Sequence, residues 1–366
     1  MALVPETVPA TAEIDRSWLF YWRTTTGQAG LAAVCALIST ALMLGVLLIG
    51  LGKPWAYGLF VILFAPLTSW PGLAEVGLKL TPILFCALGL AWCYRARLWS
   101  IGAEGQFICG GIAAASVLLN LSPYLSGFTC LLYAALAGAI AGALWAAIFA
   151  YLKQRFLASE ILVSLMLNYI AQLLLLYLVN GPMKDQAGMN FPQSALFTLH
   201  YPMLFDGSRL PLAFLLVLML ALLMYVLQKY TLLGFQVATS GAAPAAARYA
   251  GFSQTRLLWV CVACSGASAG LAGAFEVGGP IGQLLPTISP GYGYTAIIVV
   301  LLARQHALAM IAAAALLATL QIGGEMAQSR LGLPAAMSQL VQGLLLLNLL
   351  AWQACLSRWE ARRADS

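Results

Sequence analysis

Long apolar stretches separated by short polar junctions dominate the chain. Runs of roughly 20 apolar residues, enough for a helix to cross a hydrocarbon core of about 30 Å, recur at 29–52, 77–94, 101–120, 126–151, 160–180, 210–229, 257–277, 285–303, 306–324 and 336–356. The pattern predicts an all-α, polytopic transmembrane bundle of about 10 helices. Two pieces depart from it. Residues 57–69 are apolar but short, and Pro66 and Pro71 interrupt or close them; they read as a re-entrant or interfacial segment. In 285–303 the first half is crowded with Pro286, Pro290, Gly291 and Gly293, which leaves Tyr294 to Ala303 as the clean helical run. Broken helices at membrane depth persist where protein or a water-filled cavity satisfies the freed backbone. A pathway-lining segment and a proline-kinked packing helix both fit that description.

Two connections are longer than the rest. Residues 181–209 mix Pro182, Lys184, Asp185, Pro192 and Pro202 with aromatics. Residues 230–256 contain Gly234, Gly241 and Pro244 and then Ala245 to Gly251. Proline near a helix start and glycine near its end predict a short helix at 244–250. A helix of that length is not stable alone, so it must dock on a partner. Small residues cluster in 132–149 and 263–274, including Gly138, Gly142, Gly266, Gly270 and Gly273. Spacing of this kind lets helix backbones approach closely.

Composition agrees with a lipid-embedded chain. Of 366 residues, 62% are hydrophobic and 8% charged, against roughly 25% charged in soluble domains. Placing the N-terminus in the cytoplasm puts thirteen of the 18 Lys and Arg at cytoplasmic ends and leaves Lys53, Lys79, Lys184, Arg209 and Arg330 outside. The positive-inside rule prefers that orientation. It predicts a multi-pass protein of the bacterial inner (plasma) membrane, in contact with lipid, with both termini cytoplasmic. Residues 1–28 form a cytoplasmic lead, 29–356 the transmembrane domain and 357–366 a basic cytoplasmic tail. The lead lacks the basic start and cleavage site of a signal peptide. A net charge of +6 spread over segment ends forms no patch for nucleic acid.

Candidate chemistry is sparse. The single Gly-Lys pair, Gly52-Lys53, precedes Pro54 and lacks the upstream glycine of a phosphate-binding loop. No H-E-x-x-H occurs, and no serine-nucleophile motif is present. Cys261 and Cys264 form a C-x-x-C with no second pair or nearby His, which fits helix packing better than a metal site. The chain is therefore expected to be no enzyme and to hold no metal. The polar residues inside apolar spans are the remaining candidates. Glu104 lies between Gly102 and Gly105 in a polar Ile101-to-Gln106 signature at a helix entrance, where Arg95 or Arg97 could pair with it; a carboxylate capping the helix N-terminus is the structural alternative. Glu160 after Ser159 reads as a helix start. Glu276 and Glu325 fall near outer ends, facing either a pathway or water. Asn168 and Tyr169 must find partners across helices or on a solute.

Three of these segments, taken together, resemble one family. Residues 95–106 (Arg-Ala-Arg-Leu-Trp-Ser-Ile-Gly-Ala-Glu-Gly-Gln), 159–171 (Ser-Glu-Ile-Leu-Val-Ser-Leu-Met-Leu-Asn-Tyr-Ile-Ala) and 241–251 carry the resemblance, in order and in register from about residue 25 to 355. The chain resembles the permease subunit of bacterial ABC importers for nucleosides and simple sugars, the group paired with basic-membrane-protein-type binding lipoproteins. Ser100, Ala238 and Ala243 depart from the family's Asn, Arg and Asn. The resemblance implies alternating access driven by a separate ABC ATPase that binds ATP and Mg, with no cofactor in this chain. It further implies a second, related permease chain and an extracytoplasmic substrate-binding protein. Residues 241–251 become the coupling helix, with Gly241, Pro244, Arg248, Tyr249 and Gly251 as contacts to the ATPase. Glu104, Gln106, Asn168, Tyr169 and Glu276 are the pathway or structural polar candidates. The rival is a self-sufficient secondary transporter coupled to H+ or Na+, which needs mid-membrane carboxylates and commonly inverted repeats. Neither stands out in the sequence.

Overall fold

A computed structural model describes residues 26–186, 191–205 and 207–364. The described residues form thirteen α-helices and no strand. In chain order these are α1 (Thr26–Gly50), α2 (Trp55–Leu63), α3 (Trp70–Arg95), α4 (Ala103–Leu121), α5 (Gly127–Phe156), α6 (Glu160–Asn180) and α7 (Ala213–Tyr230). There follow α8 (Leu232–Ala242), α9 (Pro244–Tyr249), α10 (Gln254–Glu276), α11 (Tyr292–Leu302), α12 (Ala307–Leu331) and α13 (Met337–Ala364). Nine of them are long and apolar enough to span a bilayer: α1, α3 to α7, α10, α12 and α13.

The tenth expected span, 285–303, is not a full helix. Only the 11-residue α11 forms there, because Pro286 and Pro290 cannot donate to a helix ladder and Gly291 adopts a left-handed φ of 99°. The 57–69 piece is α2, followed by a 3-10 turn at Ala65–Leu67 that contains Pro66. α3 begins at Trp70, seven residues before the expected start at 77. Ser69 caps it by accepting a hydrogen bond from the Gly72 N–H at 3.2 Å, and Pro71 lies in the first turn, where its missing N–H costs nothing. The expected short helix is α9, but α8 before it was not anticipated. Gly234 and Gly241 both lie inside α8, and each is a close-packing position. A Cβ on Gly234 would strike the Leu227 and Gln228 carbonyls, and one on Gly241 the Arg95 carbonyl. The lead expected at 1–28 lies outside the described residues up to 25, and α13 continues through the expected tail to Ala364.

The chain divides into two compact units, residues 1–56 with 339–366 and residues 57–338. In the first, α1 and α13 are tied by polar groups. Asn348 donates to Thr40 Oγ1 at 3.1 Å and Trp352 Nε1 donates to Ser39 Oγ at 3.3 Å. In the second, α10 is the centre and packs on α5, α4 and α3. Glycines make this contact a backbone-to-backbone one. A Cβ on Gly270 would meet the Gly138 carbonyl and come within 3.1 Å of Gly142 Cα, and one on Gly142 would come within 2.8 Å of Gly270 Cα. Dispersion between closely spaced backbones, rather than water exclusion, holds helices together in lipid.

Candidate translocation site

The chain leaves α3 by a left-handed residue. Arg97 has φ 57°, and the Leu98 N–H bonds back to the Cys93 carbonyl at 2.8 Å, a six-to-one closure that ends the helix and turns the chain. Residues 98–105 then climb beside α6. Glu160, Ser164 and Asn168 fall four residues apart along one face of that helix, and each takes a backbone group of the climbing segment. The Trp99 N–H donates to Glu160 Oε2. The Ile101 N–H donates to Ser164 Oγ at 3.1 Å, and the Gly105 N–H to Asn168 Oδ1 at 2.9 Å. Asn168 Nδ2 in turn donates to the Ile101 carbonyl at 2.9 Å and reaches the Tyr294 hydroxyl at 3.3 Å. Ser100 Oγ accepts from the Gly102 N–H at 3.3 Å, a short turn that braces the loop. The loop before α4 and the first turn of that helix are thus fastened to one face of α6.

That placement puts Glu104 inside the bundle, 6% exposed. Its Oε2 accepts from the Gly293 N–H, in the first turn of α11, at 2.7 Å. Neither Arg95 nor Arg97 pairs with it, contrary to the expectation; the positive ends of two helices do that work. Gly293 is required here, since a Cβ would lie 2.7 Å from Glu104 Cα. Gln106, 2% exposed, accepts from Ser265 Oγ of α10 at 3.3 Å. Glu276 at the end of α10 is 7% exposed and accepts from the Tyr292 hydroxyl at 3.1 Å. Lys79 of α3 lies 5.7 Å from the Tyr292 ring centroid and 3.5 Å from Glu325 of α12. Glu75, one turn before Lys79, is 3.6 Å from Arg209. Glu104 and Glu276, both singled out in the sequence, are therefore buried carboxylates within the bundle.

A strap covers the turn after α10. The backbone N–H groups of Ser194, Phe197 and Tyr201 donate to the Leu284, Gly282 and Gly278 carbonyls. The Tyr201 hydroxyl donates to the Leu131 carbonyl at 2.9 Å, and burial raises its pKa so that it stays protonated. At the other end of the unit, α8 and α9 form a bracket. Gly241 is buried against α3, and Ala247 is fully buried, while Arg248 is exposed and Tyr249 is 97% exposed. Pro244 occupies the first turn of α9, and Gly251 follows it at φ 82°. Ala243 precedes the helix with no side-chain cap.

The sequence-named residues thus fall into separate places. Glu104, Gln106 and Asn168 gather around the climbing loop; Glu276 belongs to the Tyr292–Lys79 cluster; Gly241, Pro244, Arg248, Tyr249 and Gly251 share the α8–α9 bracket. Tyr169 is 57% exposed on the outer face of α6, away from its neighbour Asn168. Ser159 makes no side-chain cap, and Glu160 instead bonds to Trp99 N–H and pairs with Lys153. Ser164, Gly293, Tyr294, Lys79 and Gln321 were not singled out. The signal for Ser164 was the four-residue spacing from Glu160 and Asn168. No group of three or more His, Cys, Asp or Glu able to hold a metal occurs among the described residues.

Residues 72–350 match the family model described as the branched-chain amino acid transport system / permease component. The glucose ABC transporter permease protein TsgB13 of Haloferax volcanii is 37% identical over 307 residues, covering 81% of this chain and 80% of its own length. The guanosine ABC transporter permease protein NupP of Bacillus subtilis is 30% identical over 273 residues, covering 74% of this chain and 78% of its own. The nucleoside ABC transporter permease protein NupB of Lactococcus lactis is 24% identical over 303 residues, covering 80% and 83%. No solved structure matches. A bundle of membrane-spanning helices and a match over most of its length place the chain in the branched-chain amino acid transport system / permease component family, as an ABC transporter permease.

Proposed function

We propose that this permease imports solutes bearing a sugar ring, nucleosides or simple sugars, across a bacterial inner membrane. The observation that carries the reading is the pair of relatives named for glucose and for guanosine. Those two solutes differ in size and in aromatic content, and a ring of adjacent hydroxyls is what they share. Solute arrives from an extracytoplasmic binding protein and leaves into the cytoplasm as the bundle alternates its opening. The chain itself holds neither ATP nor Mg. A separate ABC ATPase drives the cycle, with α9 seated on it through Arg248 and Tyr249, and a related second permease chain completes the pathway. Exposure of Tyr249 on a six-residue helix supports a docking role, because an unpartnered aromatic on so short a helix is costly in water. Both termini lie in the cytoplasm, as the Lys and Arg distribution favours, with the stretch that ends in the short α11 making a tenth, broken crossing beside the nine long helices.

A mild-detergent pull-down of the tagged full chain from its native membrane, read by mass spectrometry, tests the reading. Recovery of an ABC ATPase together with ATP-dependent uptake of guanosine or glucose in proteoliposomes is the expected result. A chain that elutes alone and moves solute without ATP is a secondary carrier and overturns it.

A further inference from the structure

The seam between α3, α11 and α12 gathers polar side chains from three helices. Lys79 on α3, Tyr292 and Thr295 on α11, and Gln321 and Glu325 on α12 face one another, with Glu276 at its α10 side. Tyr292 and Thr295 are separated by one helical turn, as are Gln321 and Glu325. The pairings run across the seam: Lys79 to Glu325 at 3.5 Å, Tyr292 hydroxyl to Glu276 at 3.1 Å, and Gln321 Nε2 to Thr295 Oγ1 at 3.5 Å. Gln321 is 6% exposed, yet its Oε1 is buried with no hydrogen-bond partner. Glu276 uses one carboxylate oxygen on Tyr292. A buried acceptor without a donor opposes folding, and polar groups inside a membrane bundle mark solute paths.

We propose that this seam is a binding station for the hydroxyls of a sugar ring, with Gln321 Oε1 and Glu276 as acceptors and the Lys79 ammonium as donor. A hydroxyl both donates and accepts, so adjacent ring hydroxyls can engage an amide oxygen, a carboxylate and an ammonium together. A lone cation or anion would leave part of this mixed set unmatched. Tyr292 is fixed for its part: it is fully buried and packs edge-on against Phe107 at 5.7 Å. The station opens on the Glu325 side, whose side chain is 58% exposed against 18% for Lys79. An interhelical latch alone would need the ion pair and the tyrosine, but it has no use for an unpaired amide oxygen on Gln321.

The station rests on the proposed import of sugar-ring solutes, and its test separates the two. The assembly recovered with the tagged chain is reconstituted in proteoliposomes, and uptake is followed for guanosine, glucose and their single-deoxy analogues. Gln321→Met removes the unpaired oxygen at similar volume, so the variant should fold at least as well as the wild type, with co-elution of the assembly as the check. Glu276→Gln is the second variant. The station predicts that KM for the parent solute rises about tenfold, while KM for the analogue lacking the engaged hydroxyl hardly moves, so that the parent-to-analogue preference collapses. A fall in maximal rate with KM and preference unchanged in both variants makes the seam a latch and overturns the station alone. A wild-type assembly that transports neither guanosine, glucose nor the analogues overturns the import reading, and the station's ligand with it.

Discussion

Glu104 and Gly293, each the second residue of its helix, meet through a 2.7 Å hydrogen bond from the Gly293 N–H to the carboxylate. A buried carboxylate from the first turn of one helix thus answers an otherwise unsatisfied N–H group at the start of another. Glu104→Ala strands the Gly293 donor, at a cost of about 1–3 kcal/mol. Glu104→Gln keeps an acceptor and loses only the charge–dipole part, about 0.3–1 kcal/mol. Thermal unfolding of the purified protein should rank wild type above Glu104→Gln and Glu104→Ala lowest. An alanine variant as stable as wild type would show that the bond contributes nothing.

Asn168 and Tyr169 are neighbours in sequence with opposite surroundings. Asn168 holds the Gly105 N–H, the Ile101 carbonyl and the Tyr294 hydroxyl, whereas Tyr169 is 57% exposed. Asn168→Ala unpins the climbing loop and should lower stability by about 1–3 kcal/mol and reduce uptake. Tyr169→Ala should stay within about 0.5 kcal/mol, the usual range for surface substitutions. Equal losses in the two variants, measured by thermal unfolding and uptake, would mean that α6 buries its tyrosine face in the assembly.

Hydrophobic run length made nine spans legible, because a bilayer imposes one length on any helix that crosses it. Turn chemistry made α9 legible through Pro244 and Gly251. What periodicity hides is where a helix begins in depth. The 101–120 run reads as a span with a polar entrance, yet the loop leading into it and its first turn are fastened to α6 by Glu160, Ser164 and Asn168. Long-range hydrogen bonds of that kind leave no local pattern beyond their four-residue spacing. Glycine leaves as little local trace. At Gly234 and Gly241 it serves close packing inside α8, and nothing in the local sequence separates that use from helix breaking. The Glu276 cluster was half legible: its acid was visible as a rare charge in an apolar span, but Lys79 and Gln321 belong to helices far away in sequence.

The glycine contact of α10 gives a matched pair of substitutions. A methyl on Gly270 meets the Gly138 carbonyl and comes within 3.0 Å of its carbon, so two backbones must separate. A methyl on Gly343 of α13 meets nothing within 4 Å. Gly270→Ala should therefore cost about 1–3 kcal/mol through overpacking and reduce the yield of folded protein. Gly343→Ala should be neutral or stabilising by up to about 1 kcal/mol. Monodisperse yield and unfolding temperature in the same detergent compare them directly, and equal behaviour would contradict the close contact.

The last expectation concerns α9, whose two sides carry different kinds of residue. Ala247 is fully buried and holds the helix to its own chain, while Tyr249 is 97% exposed and Arg248 is exposed beside it. If that outer side seats on an ATPase, Tyr249→Ala removes an aromatic anchor, a loss of about 2 kcal/mol or more and hence of roughly thirtyfold in affinity for the partner. Arg248→Glu reverses a charge and should leave the protein inserted while transport no longer follows ATP hydrolysis. Ala247→Leu acts differently: it pushes the helix off the bundle and should lower stability as well as uptake. Measuring ATP hydrolysis and uptake together in proteoliposomes distinguishes these outcomes. Uptake unchanged in both Arg248→Glu and Tyr249→Ala would remove α9 from the coupling path and leave its exposed face without a role.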